Sequence, residues 1–269
     1  MTTERIKPSK PATGPDQVVI NRLKTMGFSN VATGIPHRLV AAVSGKEGTG
    51  KTHMLFTAPE PIFLFNIDIG TEGVLEKFQV SGKDIYVYDV RIPKGAKKEV
   101  YETLWHDVKE RVEWVYKVNE GTLGADTSTE MYELARLAHF GKLTQVLPHN
   151  YVEVKSEWRE ILRMAYDSRM NTILLNKVKP VYINNTRTKE YEIAGFDEMA
   201  YMVQVAITTF KEPVADGGVQ FGFTIDKCRY KPSLFGQEFR MVAPVSDSQS
   251  LQIDPIVNFP FLLDLVHGS

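Results

Sequence analysis

The chain has 269 residues, 43% hydrophobic and 24% charged, enough to bury a sizeable core within one large domain. Its 32 basic and 33 acidic residues leave a formal net charge of −1. That balance excludes a strongly basic nucleic-acid coat and an acidic tail, but not a local basic groove. The single cysteine, Cys228, excludes an internal disulfide framework and a cysteine-rich zinc site, and it fits a reducing compartment. No apolar run reaches the ~18 residues of a membrane helix, and Met1 to Gln17 has no apolar stretch of the secretory kind. A cytoplasmic location without a membrane partner is therefore expected.

The first 20 residues carry Pro8, Pro11, Pro15 and Gly14 among polar residues and read as a flexible arm. Residues 21–265 show no convincing internal boundary and read as one domain. Arg38 to Ser44 is an apolar run ending in a glycine-rich turn, which predicts a buried strand. A short helix follows from Lys51 to about Thr57, stopped by Pro59 and Pro61. Ile62 to Asp68 and Ile85 to Val90 read as two further strands. Val100, Leu104, Val108, Val112 and Val115 recur at spacings of three and four, so Glu99 to Asn119 is a helix. Thr122 to Asp126 is a short strand, and Thr127 to Phe140 a helix. Trp158, Ile161, Leu162, Ala165 and Tyr166 mark another helix, and Thr172 to Asn176 another buried strand. Met202 to Thr208 and Phe221 to Asp226 read as late antiparallel edge strands. Strands that are apolar on both faces and alternate with helices predict an α/β fold around a mostly parallel central sheet.

Gly45-Lys46-Glu47-Gly48-Thr49-Gly50-Lys51-Thr52 matches the phosphate-binding pattern G-x-x-x-x-G-K-[ST], between a predicted strand and a predicted helix. Gly48 and Gly50 let the backbone wrap with its N–H groups inward, and the helix start adds its positive end. Lys51 reaches the β- and γ-phosphates, and the Thr52 hydroxyl holds Mg²⁺. His53 completes the nucleotide-binding set; packing or solvent exposure is its other reading. Asp126, ending an apolar strand, suits the acidic residue that orients water on magnesium. Its other reading is a cap on the following helix.

Five segments occur in the order expected of a RecA-like ATPase core. They are this loop, Phe65 to Gly73, Ala125 to Glu130, Leu174 to Lys177, and Asp226 to Arg229. The chain resembles the phage-encoded RecA-like P-loop ATPases that accompany single-strand annealing and recombination, most closely over Asp126 to Gly141. The resemblance implies a RecA-like core with antiparallel edge strands, using ATP and Mg²⁺. It implies a water-activating glutamate in the segment Asp68 to Glu72; Gly70 stands where the family has that residue, so Glu72 is the first candidate and Glu130 the second. Glu130 also completes a capping-box pattern with Thr127. It implies a γ-phosphate sensor at Asn176 and Lys177, where the family often has Asn-Gln. It implies that Lys227 and Arg229 reach a neighbouring subunit's nucleotide; they alternate with Cys228 and can share one strand face. A solvated edge strand is the alternative.

The resemblance places a DNA-binding loop at Val178 to Phe196. There Lys179, Arg187 and Lys189 interleave with Tyr182 and Tyr191, as a single strand requires. Nearby acids dilute this charge, and a surface loop or hairpin is the other reading. The expected function is Mg²⁺-dependent ATP binding and hydrolysis in DNA recombination, repair or replication. The expected partners are single-stranded DNA, further copies in a ring or filament, and a single-strand-binding protein. A nucleotide-stabilised scaffold with little turnover is the alternative, and a P-loop kinase a weaker one.

Overall fold

The computed structural model describes residues 17–27, 38–68, 71, 74–143, 145–214, 218–243 and 257–268. The chain forms two compact units, residues 1–36 and residues 37–269. The first contains α1 (Gln17–Thr25), whose last turn carries Arg22 and Lys24, the charge sign that suits a helix C-terminus.

The second unit opens with β1 (Val40–Gly45), α2 (Lys51–Phe56), β2 (Ile62–Asn66), α3 (Val74–Val80) and β3 (Ile85–Asp89). Then come α4 (Lys98–Val118), β4 (Thr122–Asp126), α5 (Ser128–Phe140), α6 (Val152–Asp167) and β5 (Asn171–Asn176). A hairpin of β6 (Val178–Ile183) and β7 (Thr186–Ile193) follows. The unit ends with α7 (Met199–Met202), β8 (Val205–Pro213), β9 (Val219–Cys228), β10 (Glu238–Ala243) and α8 (Phe259–His267).

Eight strands form one sheet in the order β10-β9-β8-β1-β5-β4-β2-β3. From β8 to β3 every neighbouring pair is parallel, while β9 and β10 add antiparallel at one edge. This is the expected fold class: an α/β unit with a mostly parallel sheet and antiparallel edge strands.

Strand alternation explains the two core layers. Along β1 and the residue before it, Val40 and Ala42 face one side and Leu39, Ala41 and Val43 the other. The first side is covered by α4, α5 and α6, where Trp158 is fully buried, stacked on Trp105 at 6.4 Å and met edge-on by Tyr132 at 5.9 Å. The second is covered by α2, α3 and α8, through Met54, Leu55, Phe78, Phe259 and Leu262. Each such aliphatic or aromatic side chain contributes about 1.5–3 kcal/mol by burial.

Most element ends fall within a residue or two of expectation. Met202 does not: it closes α7, and the strand begins at Val205, where the backbone first pairs with β1 at Ala41. The helix expected to end at Asn119 does so because Asn119 adopts φ +61°, a left-handed cap that asparagine tolerates.

Gly124 is required on β4. A Cβ there would lie 2.5 Å from Leu55 Cδ1, and Leu55 is a fully buried residue of α2 that would have to shift. Gly124→Ala is expected to lower stability by about 1–3 kcal/mol through overpacking. Urea denaturation measures it, and an unchanged midpoint would refute the tight α2–β4 contact.

Candidate functional site: a phosphate loop on the carboxyl edge of the sheet

Parallel α/β sheets present ligand sites where strands end and loops turn into helices. Here β1, β5, β4 and β2 are successive neighbours. Their carboxyl ends bring together Gly45–Thr52, Asn176 and Lys177, Asp126, and Asp68.

The loop has the shape its glycines predict. Gly48 takes φ +69° and Gly50 φ +93°, conformations costly for any other residue. Gly50 is the residue before α2, so Lys51 and Thr52 form its first turn. Lys51 Nζ donates to the carbonyls of Gly45 at 2.9 Å and Lys46 at 2.7 Å. The ammonium is thereby folded over the loop. Glu47 is exposed on the loop and contributes only charge to Lys51.

Thr52 Oγ1 donates to Asp126 Oδ2 at 2.8 Å. The hydroxyl starting α2 and the carboxylate ending β4 thus meet across the intervening strand β5. Asp126 is 5% exposed, and Thr127, not Asp126, caps α5 by accepting from the Glu130 N–H at 3.3 Å. Burial pushes the Asp126 carboxyl above its ordinary range, and Asp68 adds to the rise against the Thr52 hydrogen bond and the attraction of Lys51 and Lys177. Burial pushes the Lys51 ammonium down, while Asp126, Asp68 and Glu47 pull it up. Two oxygen donors beside a phosphate loop, one hydroxyl and one carboxylate, match what Mg²⁺ takes when phosphates and water complete its shell. Among the described residues no cluster of three or more His, Cys, Asp or Glu forms a closed metal cage.

Lys177 bridges two acids, with Nζ 2.6 Å from Glu130 Oε1 and 3.0 Å from Asp68 Oδ2. Burial alone would lower this ammonium, but the bonds to Glu130 and Asp68 prevail and raise it. The Glu130 carboxylate therefore turns to Lys177, and only the Thr127 half of the capping box is seen. Asn176 is buried and accepts from the Ser128 hydroxyl at 2.6 Å. Glu72 lies outside the described residues. A cleft of roughly 1020 Å³ adjoins the site, its lining including Asp68, Glu130, Lys177, Asn66, Asp89 and Arg91.

His53 packs beneath the loop. Its Nδ1 lies 3.1 Å from the Val257 carbonyl and its ring meets Phe78 edge-on at 5.3 Å.

Val178 to Phe196 is a hairpin leaving the carboxyl end of β5, turning at Asn184 and Asn185, both with positive φ. Its base is fixed by Thr129, whose hydroxyl accepts from the Lys177 N–H at 2.9 Å and donates to the Ala194 carbonyl at 3.0 Å. Lys179 pairs with Glu192 at 3.2 Å, and Lys189 is exposed. Arg187 donates to the Tyr191 hydroxyl at 3.1 Å, and Lys46 Nζ lies 4.1 Å from the centre of the Tyr191 ring. The hairpin thus reaches the phosphate loop, a contact the sequence did not disclose.

Lys227 and Arg229 lie towards the opposite end of the sheet. Lys227 pairs in register with Ala206, which faces Ala42, whereas Gly45 pairs with Thr209. Lys227 Nζ donates to the carbonyls of Ala200 and Tyr201 at 2.7 and 2.6 Å, and Arg229 donates to Tyr201 at 2.7 Å. At about 3.3 Å per strand residue, neither side chain reaches its own phosphate loop.

No protein-family profile and no curated protein matches the sequence. Among the described residues, no helix is long and apolar enough to cross a membrane. Solved structures with a similar course of chain include a KaiC-like protein from the hyperthermophilic archaeon Pyrococcus horikoshii OT3, at 13% identity and a TM-score of 0.45, covering 77% of this chain and 90% of that one.

Proposed function

We propose that the chain is a RecA-like P-loop ATPase, phage-encoded, that binds ATP with Mg²⁺ at Gly45–Thr52 and hydrolyses it in DNA recombination, repair or replication. The observation that carries this reading is the 2.8 Å contact of Thr52 with Asp126 at the mouth of a glycine-shaped phosphate loop. The inward N–H groups and Lys51 hold the β- and γ-phosphates. Thr52 and Asp126 would hold Mg²⁺, which when bound would supply charge neutralisation on the phosphates.

The γ-phosphate competes with Glu130 and Asp68 for Lys177. Once Lys177 turns to phosphate, Glu130 is released to take a proton from the attacking water. The new P–O bond forms as the bond to the β–γ bridging oxygen breaks, and ADP leaves with that oxygen. Glu72 is the alternative base. Lys227 and Arg229 act on the nucleotide of a neighbouring copy in a ring or filament, which their distance from their own loop favours. The β6–β7 hairpin takes single-stranded DNA, with Lys179, Arg187 and Lys189 on phosphates and tyrosines on bases. A single-strand-binding protein is a further proposed partner.

The Lys177 bridge also favours a second reading, a nucleotide-stabilised scaffold with little turnover, because it engages both nearby acids. Phosphate release with and without oligo-dT separates the two. The ATPase reading expects stimulation by oligo-dT. It also expects Lys179→Ala/Arg187→Ala/Lys189→Ala to weaken oligo-dT binding about tenfold or more at moderate salt while unstimulated turnover persists. Wild-type chain that neither binds oligo-dT nor responds to it would overturn the DNA role.

A further inference from the structure

Thr209 of β8 and Thr49 of the phosphate loop stand 160 residues apart and meet in the core. Their hydroxyl oxygens are 2.7 Å apart, and Thr49 and Thr209 are 4% and 2% exposed. Thr49 Oγ1 also donates to the Lys46 carbonyl at 2.8 Å. Each hydroxyl has one proton. With the Thr49 proton on Lys46, the Thr209 proton is left for Thr49 Oγ1 or for the Ser44 carbonyl, 3.1 Å from Thr209 Oγ1. Two protons thus serve three contacts, and the hydroxyl pair links the Lys46 carbonyl of the loop to the Ser44 carbonyl of β1. The Lys46 carbonyl also accepts from Lys51 Nζ at 2.7 Å.

Close packing adds to the hydrogen bonds. A Cβ on Gly45 would lie 2.3 Å from Thr209 Oγ1 and 2.9 Å from Thr49 Oγ1, so the loop's first residue is seated directly on this pair. In register, Gly45 faces Thr209 across the β1–β8 ladder. Buried hydroxyl chains of this kind are rigid when every member is satisfied.

We infer that Thr209 is a positioning residue for nucleotide binding, acting through Thr49 to fix the front turn of the phosphate loop and the Lys46 carbonyl that anchors Lys51. This rests on the reading that Gly45–Thr52 holds a nucleotide. Thr209 itself touches no phosphate. Its contribution is to hold the loop's N–H groups in their binding geometry before the ligand arrives, which affects ground state and transition state alike. Loss of the hydroxyl should therefore appear in KM and not in kcat.

The test compares Thr209→Val, Thr209→Ser, Thr49→Val and the double variant Thr49→Val/Thr209→Val in full-length chain. Steady-state phosphate release and titration of Mg²⁺ with a non-hydrolysable ATP analogue are the readouts. Thr209→Val is expected to raise KM and the analogue Kd about tenfold, with kcat within about twofold. Thr209→Ser should restore both, and the double variant should be no worse than the weaker single variant, because the two hydroxyls act as one chain. Where Thr209→Val does not fold, Thr49→Val cuts the same chain and carries the same expectation. Wild-type KM in both valine variants, a loss confined to kcat, or additive losses would overturn the inference. Wild-type chain that binds no analogue would instead overturn the nucleotide reading.

Discussion

Lys51→Met should leave the fold standing and lower ATP turnover by about 10²–10³-fold, the cost of removing one preorganised donor from developing charge. The side chain is placed to cause little structural damage when truncated. It starts α2 and makes its hydrogen bonds to two loop carbonyls, not to the core. Methionine keeps the helical stem while removing the ammonium, and of the two carbonyls left behind that of exposed Lys46 lies at the loop surface. Burial also pushes the ammonium down against the pull of Asp126, Asp68 and Glu47, so its charge is no large source of stability to lose. Thermal melting should therefore be nearly unchanged while phosphate release collapses. A variant that turns over ATP like the wild type would refute the assignment of the loop.

Asp126→Asn should separate stability from activity more sharply. Asparagine retains an oxygen to accept from Thr52 and loses the charge. Turnover is expected to fall about 10²–10³-fold, because a bound metal stabilises several kcal/mol of transition-state charge and each 1.36 kcal/mol is tenfold in rate. Stability should move the other way. The largest influence on Asp126 is burial, which raises its folded-state pKa despite Thr52, Lys51 and Lys177. Between the ordinary aspartate value and that raised value the folded chain holds a proton that the unfolded chain has released. Stability then falls as pH rises through this window, and the full penalty is present above it. The asparagine variant carries no such penalty. Its urea midpoint should exceed that of the wild type above the window, and the difference should shrink as pH falls through it. A lower midpoint at neutral pH would show that the carboxylate stabilises the fold.

The parallel strands were legible because they are buried on both faces. Leu39 to Val43 and Thr172 to Leu175 are continuous apolar or buried runs that no amphipathic helix would carry. The loop was legible because phosphate binding needs glycine at fixed spacings, and Asp126 because it ends such a run beside the turn into a helix. What escaped depends on contacts between residues distant in sequence. The Thr49–Thr209 hydroxyl pair spans 160 residues and leaves no local signature. The Lys177 bridge to Glu130 and Asp68 joins the ends of two strands and the first turn of α5 through side chains alone. The contact of Lys46 with Tyr191 arises because the hairpin folds back along the sheet edge, though Asn184-Asn185 was a turn signal in plain view. Met202, the last residue of the short helix Met199–Met202, falls in the strand expected from sequence because so short a helix shows no period of its own.

Phosphate release from ATP by the full-length wild-type chain, measured in one preparation with Mg²⁺ present and with Mg²⁺ chelated, tests the central claim most directly. The account predicts steady release with Mg²⁺, its loss on chelation, and recovery when Mg²⁺ is restored. Release that is unchanged by chelation, or no release in Mg²⁺ even with oligo-dT present, would contradict an ATPase site built on Lys51, Thr52 and Asp126.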